Sequence, residues 1–382
     1  MDMRRIIYVL IIIFVLILVI SISLEPIIIF LAKQSIRKIF IDTKVTISDC
    51  NIKPLHLLTL SDIEIKKDSI YSFKLKAISI QYSLSSIIKR NILKASLSGA
   101  KIMVNLPQNN ILELTKHFNL KTNKSMFLVN ALELSNFSLI LDSKDLSLQA
   151  NISSEINLVH QLVNYLDFKI YSLESRGFQL KDAYLKVNQS LLPGLLYIDQ
   201  VKYNKLKIEK IESSARLENK SLCLDSLSAE FLGGKIQGKV SLKTEKNREH
   251  FISLKFMNID LNTLVNDFNL NEKVQISGRL GGAVTLKGIG LQINVLDGDF
   301  TTAEPGGTLT IKDTGFLEKI ARNSNQPLDI LVESFKDYHY NNGVMRLSLE
   351  GDNLILVIDL EGETGKRNLN IIVHNFKLRR EK

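Results

Sequence analysis

Six histidines, His56, His117, His160, His250, His339 and His374, are the side chains best suited to metal or proton chemistry, and they are scattered along the chain. No His-x-x-x-His or His-Glu-x-x-His pair occurs, so no helix face would offer two imidazoles to one zinc ion. The two cysteines, Cys50 and Cys223, lie far apart and in no metal-ligand spacing; whether they pair is left open by the sequence. Gly234-Lys235 and Gly238-Lys239 lack the following Ser or Thr and the upstream glycine of a phosphate-binding loop. Gly288-Ile289-Gly290 lacks the third glycine of a dinucleotide site, and no Gly-x-Ser-x-Gly elbow is present. Carboxylates fall in turns or on the wet side of alternating segments, where coupling any two as acid and base would be arbitrary. The expectation is a protein with no catalytic residues, no metal and no cofactor.

The net charge of +9 raises nucleic acid as a partner, which requires basic residues gathered on one face. Here they are single residues between apolar ones, as at Lys235, Lys239 and Lys243, with dense spots only at Lys89-Arg90, Lys377 and Arg379-Arg380. That distribution argues against nucleic acid and suits weak attraction to an anionic membrane surface.

The elements that would position any site begin with an anchor. Residues 6–23 are 18 consecutive uncharged positions, about 27 Å as a helix and close to the hydrocarbon thickness of a bilayer. Residues 6–24 are therefore expected to form a transmembrane helix, with Ile6, Leu10, Phe14, Leu18 and Ile20 among its lipid-facing side chains. A cleaved leader would have a shorter apolar core and a small-x-small site after it, and Leu24-Glu25-Pro26 stands there instead. Arg4 and Arg5 favour a cytoplasmic residue 1–5 segment, which puts the rest of the chain outside. In residues 25–41, Ile28, Leu31, Ala32, Ile36 and Ile39 recur at helical spacing with Lys33, Arg37 and Lys38 largely opposite, as in a helix lying at the membrane surface or a plain helical stalk.

Beyond Asp42 the period changes to two. Val45 and Ile47, Ile63 and Ile65, Ile78 and Ile80, Ile102 and Val104, Phe137 to Leu141, and Ala183 to Val187 are alternating runs bounded by turn residues. In the C-terminal half, residues 236–242, 345–349 and 354–360 alternate, and every even position from 274 to 288 is apolar or glycine. The last reads as one long strand that its glycines bend or bulge. Helix-like segments are few: 84–93, 111–118, 261–268, 314–322 and 328–338. They are too few for alternating strand and helix, so the fold class is mainly β: a long antiparallel sheet with one apolar and one wet face behind an N-terminal transmembrane helix. Such a face must be covered, by protein in a closed sandwich or barrel, or by ligand in a curved open sheet.

Three stretches together resemble the AsmA-like family of bacterial envelope proteins. VTISDCNIKPLHLLTLSDIEIK (45–66) is similar to the family's opening strands, and ISIQYSLSSIIKRNILKASLSGAKIMV (78–104) to its strand, short helix, basic turn and strand. LSAEFLGGKIQGKVSLK (227–243) and ISGRLGGAVTLKGIG (276–290) resemble its glycine-marked repeats. Pro305-Gly306-Gly307, Phe335-x-x-Tyr338-x-Tyr340 and Leu360-Glu361-Gly362 look like the end of its YdbH-type branch. The resemblance divides the body into an AsmA-like β segment (42–107), a middle β segment (108–218), a YdbH-like β domain (219–376) and a basic tail (377–382). A dicarboxylate-transport label attached to the branch finds no cationic pocket or multi-span bundle in this sequence.

The resemblance implies an inner-membrane protein whose periplasmic sheet curls into an open groove and carries phospholipids between the inner and outer membranes, a part in outer-membrane biogenesis. Its partners would be phospholipids and the inner membrane. Candidate lining residues are Ile236, Val240, Leu242, Val274, Ile276, Leu280, Val284, Leu286, Leu347, Leu349, Leu354, Leu356, Ile358 and Leu360. A sheet of about 15–20 strands spans roughly 70–95 Å, so an envelope partner adding a strand at the C-terminal edge, near Leu369 to Val373, is expected. The rival expectation is an envelope scaffold with a closed core and no lipid.

Overall fold

The computed structural model describes residues 24–374 apart from 41–42, 54–55, 68–69, 107–127, 161, 189–192, 219–220, 244–247, 291, 314, 316–317 and 319–331. Among the described residues the chain is mainly β, as its period-two pattern predicts: eighteen strands belong to a large sheet and three to a small one. Two compact units divide it, residues 1–176 with 184–191, and residues 177–183 with 192–382.

In the first unit, helix α1 (24–39) precedes β1 (Lys44–Lys53), β2 (Leu57–Lys67), β3 (Tyr71–Gln81), helix α2 (Leu84–Ile88), β4 (Asn91–Leu106), β5 (Leu128–Ser143), β6 (Leu146–Asn157) and β7 (Leu162–Ser175). Strands β1 to β7 pair in chain order. One pairing departs from the expected antiparallel pattern: β4 and β5, joined through residues 107–127, are parallel. The helix predicted at 111–118 lies in that connection, outside the described residues. The helix predicted over 84–93 stops at Ile88, because Arg90 turns to a positive φ of 53° and Ile92 is drawn into β4 opposite Val129. Its start is fixed by Ser83 and Ser86, each side chain bonding the other's backbone N–H at 3.1 and 2.7 Å.

The core of this unit is Val45, Ile47, Cys50, Leu60, Ile63, Ile65, Tyr71, Leu75, Ala100 and Val104. Ile28, Ile29, Ala32 and Ile36 of α1, with Phe40 after it, pack on that core. The helical stripe read from sequence is thus divided. Ile28, Ala32 and Ile36 meet protein, while Leu31 and Ile39 are exposed, as are Leu24, Ile27 and Phe30.

The second unit pairs β9 (Gly194–Tyr203), β10 (Leu206–Glu218), β11 (Ser221–Phe231), β12 (Gly234–Lys243), β13 (Glu249–Asp260), β15 (Arg279–Ile289), β16 (Gln292–Thr302), β19 (Asn342–Glu350), β20 (Asn353–Gly362) and β21 (Gly365–Val373), every neighbour antiparallel. Strand β8 (Phe178–Asn188) is shared between the two units. Helix α3 (Leu261–Asp267) forms where the pattern predicts one, capped by the Asp260 carboxylate, which accepts from Thr263 N–H at 2.7 Å.

The single long strand expected from 274 to 288 is two elements. Ser277 and Gly278 turn the chain, Gly278 at a φ of +113° that a side chain would strain. Before the turn, β14 (Val274–Ile276) joins β17 (Gly307–Ile311) and β18 (Tyr338–Tyr340) in the small sheet; after it, β15 enters the large one. The Tyr340 hydroxyl donates to the Ser277 carbonyl at 2.5 Å and holds the turn, and burial pushes that phenol up to about 12. Of the helix predicted at 328–338, residues 332–334 are helical and Tyr338 is in a strand.

Candidate functional site

Cross-strand register decides which side chains share a face, because directly opposed residues point the same way. In the second unit one row runs through eight strands. Ala229 pairs with Ile236, Ile236 with Phe256, Phe256 with Gly282 and Gly282 with Phe300. Phe300 then pairs with Met345, Met345 with Ile358 and Ile358 with Leu369. The neighbouring row is Leu227, Gly238, Leu254, Val284, Gly298, Leu347, Leu356 and Ile371, joined by the same eight strands. A third links Leu224, Val240, Ile252, Leu286 and Leu296, and Leu349 pairs with Leu354 further along. The opposite face reads Ser228, Gln237, Lys255, Ala283, Asp299, Arg346, Val357 and Asn370 across those eight strands. One face is therefore continuous hydrocarbon and the other mostly polar.

The first unit repeats the arrangement. Ile52, Leu58, Ile80, Ala95, Leu132, Ile156 and Val163 are opposed in sequence across all seven strands, β1 to β7, and all are half-buried. A second row is Val45, Ile65, Phe73, Ile102, Leu139, Ala150 and Ile170. The parallel β4–β5 pair keeps both rows in phase, so the apolar face survives the change of strand direction. On the polar face at that junction, Lys94 Nζ lies 2.8 Å from Glu155 and 3.2 Å from Glu133, Ser96 donates to Glu133 and Asn164 to Glu155. These hydrogen bonds hold the Glu155 carboxyl below its ordinary range and the Lys94 ammonium above its own.

Part of the second unit's apolar face is covered by its own polypeptide. Leu232, Ile259, Leu261 of α3, Leu280 and Phe300 form one buried cluster, against which Phe256, Val284 and Met345 pack. Leu309, Ile311, Phe335, Tyr338, Tyr340, Leu360 and Leu369 form another, with Val274, Ile276 and Ile358 against it. Phe300 lies over Gly282: a methyl there would stand 2.5 Å from the ring. The glycines of β15 thus make room for aromatic rings from the neighbouring strands.

The fourteen lining residues predicted from sequence fall into three groups. Val240, Leu286, Leu347, Leu349, Leu354 and Leu356 sit half-buried on the apolar face, outside the buried clusters and their packing neighbours, and Leu242 is 38% exposed beside them. Ile236, Leu280 and Leu360 are on the face but fully buried, with Val284 and Ile358 against the covering clusters. Val274 and Ile276 are in the small sheet, part of the cover rather than of the large sheet's ladder. Ile252 and Leu254 of β13, missed as lining residues, complete the open rows; their alternation with Ser253 and Lys255 was available in the sequence. The first-unit row was readable as strands but not as a face, because register across long connections is not written in period alone.

Among the described residues no group of three or more His, Cys, Asp or Glu is placed to hold a metal ion. Cys50 is buried and Cys223 half-buried, and both thiols are free. Burial, with the charges of Glu25 and Asp49, pushes the Cys50 thiol up, away from the reactive thiolate. None of the described helices is long and apolar enough to cross a membrane, and the expected span with Ile6, Leu10, Phe14, Leu18 and Ile20 lies, but for Leu24, outside the described residues.

These features define a class of protein: in each unit a β-sheet carries an apolar face, and in the second the described residues cover that face only in part. The sequence model of a family described as "YdbH-like: Intermembrane phospholipid transport protein YdbH" matches residues 54–361, most of the chain, and the chain belongs to that family. No curated protein and no solved structure matches it significantly.

Proposed function

We propose that this protein is anchored in the bacterial inner membrane by residues 6–24 and carries phospholipids through the periplasm towards the outer membrane, with acyl chains sheltered on the apolar face. The observation that carries this reading is the open part of that face. Leu254, Leu347 and Leu356 belong to one cross-strand row and are partly exposed, next to rows that the chain does cover. Each CH₂ withdrawn from water is worth about 0.8 kcal/mol, so a 16-carbon tail left wet would cost about 12 kcal/mol. A continuous hydrocarbon face removes most of that barrier without a single tight site, and uniform rows let a tail slide. The family's description supports phospholipid as the cargo and two membranes as the termini.

The exposed Leu24, Ile27, Phe30 and Leu31 of α1, next to Lys33, Arg37 and Lys38, suit a helix whose outer side rests in a lipid surface while its inner side packs on the sheet. At the other end of the chain, β21 pairs with β20 and offers its second edge to an envelope partner that adds a strand. The covered clusters around Phe300 and Tyr340 are what a closed, lipid-free scaffold would extend over the whole face, and the test must separate the two. Native mass spectrometry of the detergent-extracted full chain should detect retained phospholipid, and Leu347→Asp with Leu356→Asp should abolish it. A wild-type chain released free of lipid would leave the scaffold reading standing.

A further inference from the structure

We propose that the strand ends away from α3 seat the phosphate of a phospholipid headgroup, contacted by His250 and Arg248, with the tail running down the strands towards Phe256. This rests on the lipid-carrying reading above and assigns the direction in which the lipid lies. Across the eight strands that share the apolar rows, the ionisable side chains whose register places them on the apolar face are His250 and Arg367. Arg367 is committed at the covered end, its guanidinium 5.0 Å from the Tyr338 ring centre and its Nε donating to the Ser334 carbonyl at 3.4 Å.

His250 stands at the other end. It is opposed by Leu242 on one side and Gly288 on the other, and its Nε2 lies 2.5 Å from where a Gly288 methyl would be. The missing side chain at 288 is what lets the imidazole lie on the face. An imidazole in the middle of a hydrocarbon row would be costly to desolvate; at the rim it keeps water or an anion as partner. Beside it a recess of about 420 Å³ is lined by Leu242, Lys243, Arg248, Glu249, His250 and Gly290. Glu249 is taken by its ion pair with Lys243. The Arg248 carbonyl accepts from Gly290 N–H at 3.1 Å, which fixes the residue at the base of its turn, while its exposed guanidinium has no partner among the described residues. Exposed leucine beside an exposed guanidinium and an imidazole N–H is the pairing a phosphodiester on a hydrocarbon tail requires.

The length agrees. Six residues from His250 to Phe256 span about 20 Å along β13, and one leaflet's hydrocarbon is about 15 Å thick. A tail whose phosphate sits at His250 therefore fits before the covered end.

The test uses the full chain in detergent with three probes: phosphatidylglycerol, diacylglycerol with the same tails, and inorganic phosphate. Wild type should retain phosphatidylglycerol about tenfold better than diacylglycerol, the effect of one or two charge-assisted hydrogen bonds. Arg248→Gln with His250→Gln should bring the two lipids to equal retention, leave diacylglycerol binding and the melting temperature unchanged, and Arg346→Gln on the polar face should alter nothing. Equal retention of both lipids by wild type, or a preference that survives the double substitution, would overturn the headgroup seat while leaving the apolar face as a carrier. Retention of neither lipid would sink both readings. Inorganic phosphate bound as tightly as phosphatidylglycerol would mark a free-anion site instead and overturn the proposal.

Discussion

Phe300 and Leu356 lie in adjacent rows of one apolar face, produced by the same alternation, yet their surroundings differ. Phe300 is 8% exposed, packed with Phe256 at 5.7 Å between ring centres and enclosed by the cluster that includes α3. Leu356 is opposed by Leu347 and Ile371 and stays partly exposed. The first residue is core; the second has the same chemistry without the cover. The comparison teaches that this sheet does not fail to bury its face for lack of material. Among the described residues, α3, β14, β17 and β18 cover one end of the face, and no buried cluster covers the rows of Leu347 and Leu356.

The largest effect should come from the covered end. Phe300→Ala removes a ring that fills the space above Gly282, and should cost about 3–5 kcal/mol in urea unfolding of the second unit. Leu356→Ala should cost less, about 1–2 kcal/mol, since part of that side chain is already in water. Equal costs would mean that Leu356 has a protein cover too, and the contrast between the rows would be gone. A functional experiment sharpens the same contrast in the other direction. Leu347→Ser with Leu356→Ser should cost about 1–2 kcal/mol in stability while removing most retained phospholipid, read by thin-layer or mass analysis of the purified chain. Phe300→Leu should do the reverse, lowering stability and sparing lipid.

Much of this contrast is legible in the residues and part is not. Alternation from Val45 onward identifies strands because a half-buried pleat needs period two, and Val240, Leu347 and Leu356 follow from it directly. Val274 and Ile276 obey the same period, yet Gly278 breaks the strand after them. A positive-φ turn looks in sequence like one more even-numbered glycine, so the small sheet was hidden inside an unbroken pattern. The covering clusters were hidden for a related reason. Tyr338 reads in sequence as the last residue of a helix, and Tyr340 is held by a hydrogen bond to Ser277, 63 positions away in the chain. The parallel β4–β5 pair also leaves no local trace, since parallel and antiparallel neighbours share one alternation. His250 is the opposite case. Its place on the apolar face follows from its even spacing with Ile252 and Leu254, but nothing in the spacing shows that the strand ends there face water.

The polar face supplies the smallest and last test, because its charges should matter little wherever water reaches them. At the parallel junction Lys94 holds Glu133 and Glu155 with side chains about one-quarter exposed, whereas Arg346 and Asp359 in the second unit form a more exposed pair at 3.3 Å. Glu155→Gln should cost below about 1 kcal/mol at neutral pH, and Asp359→Asn less again. The pH dependence fixes the cause. Glu155 is lowered in the folded chain, first by its hydrogen bond from Lys94 and then by that from Asn164, so its contribution is present above its unfolded value of about 4.3 and is lost as pH falls through the folded one. Lys94 is raised, chiefly by the same bond, so its share persists up to about pH 10.4 and is lost as pH rises through the folded value. The gap between wild type and Glu155→Gln in urea midpoint should therefore hold from about pH 5 to 10 and close towards pH 3. A gap that stays open at pH 3 would assign the cost to packing at Glu155, and the two faces would then be held by the same kind of force.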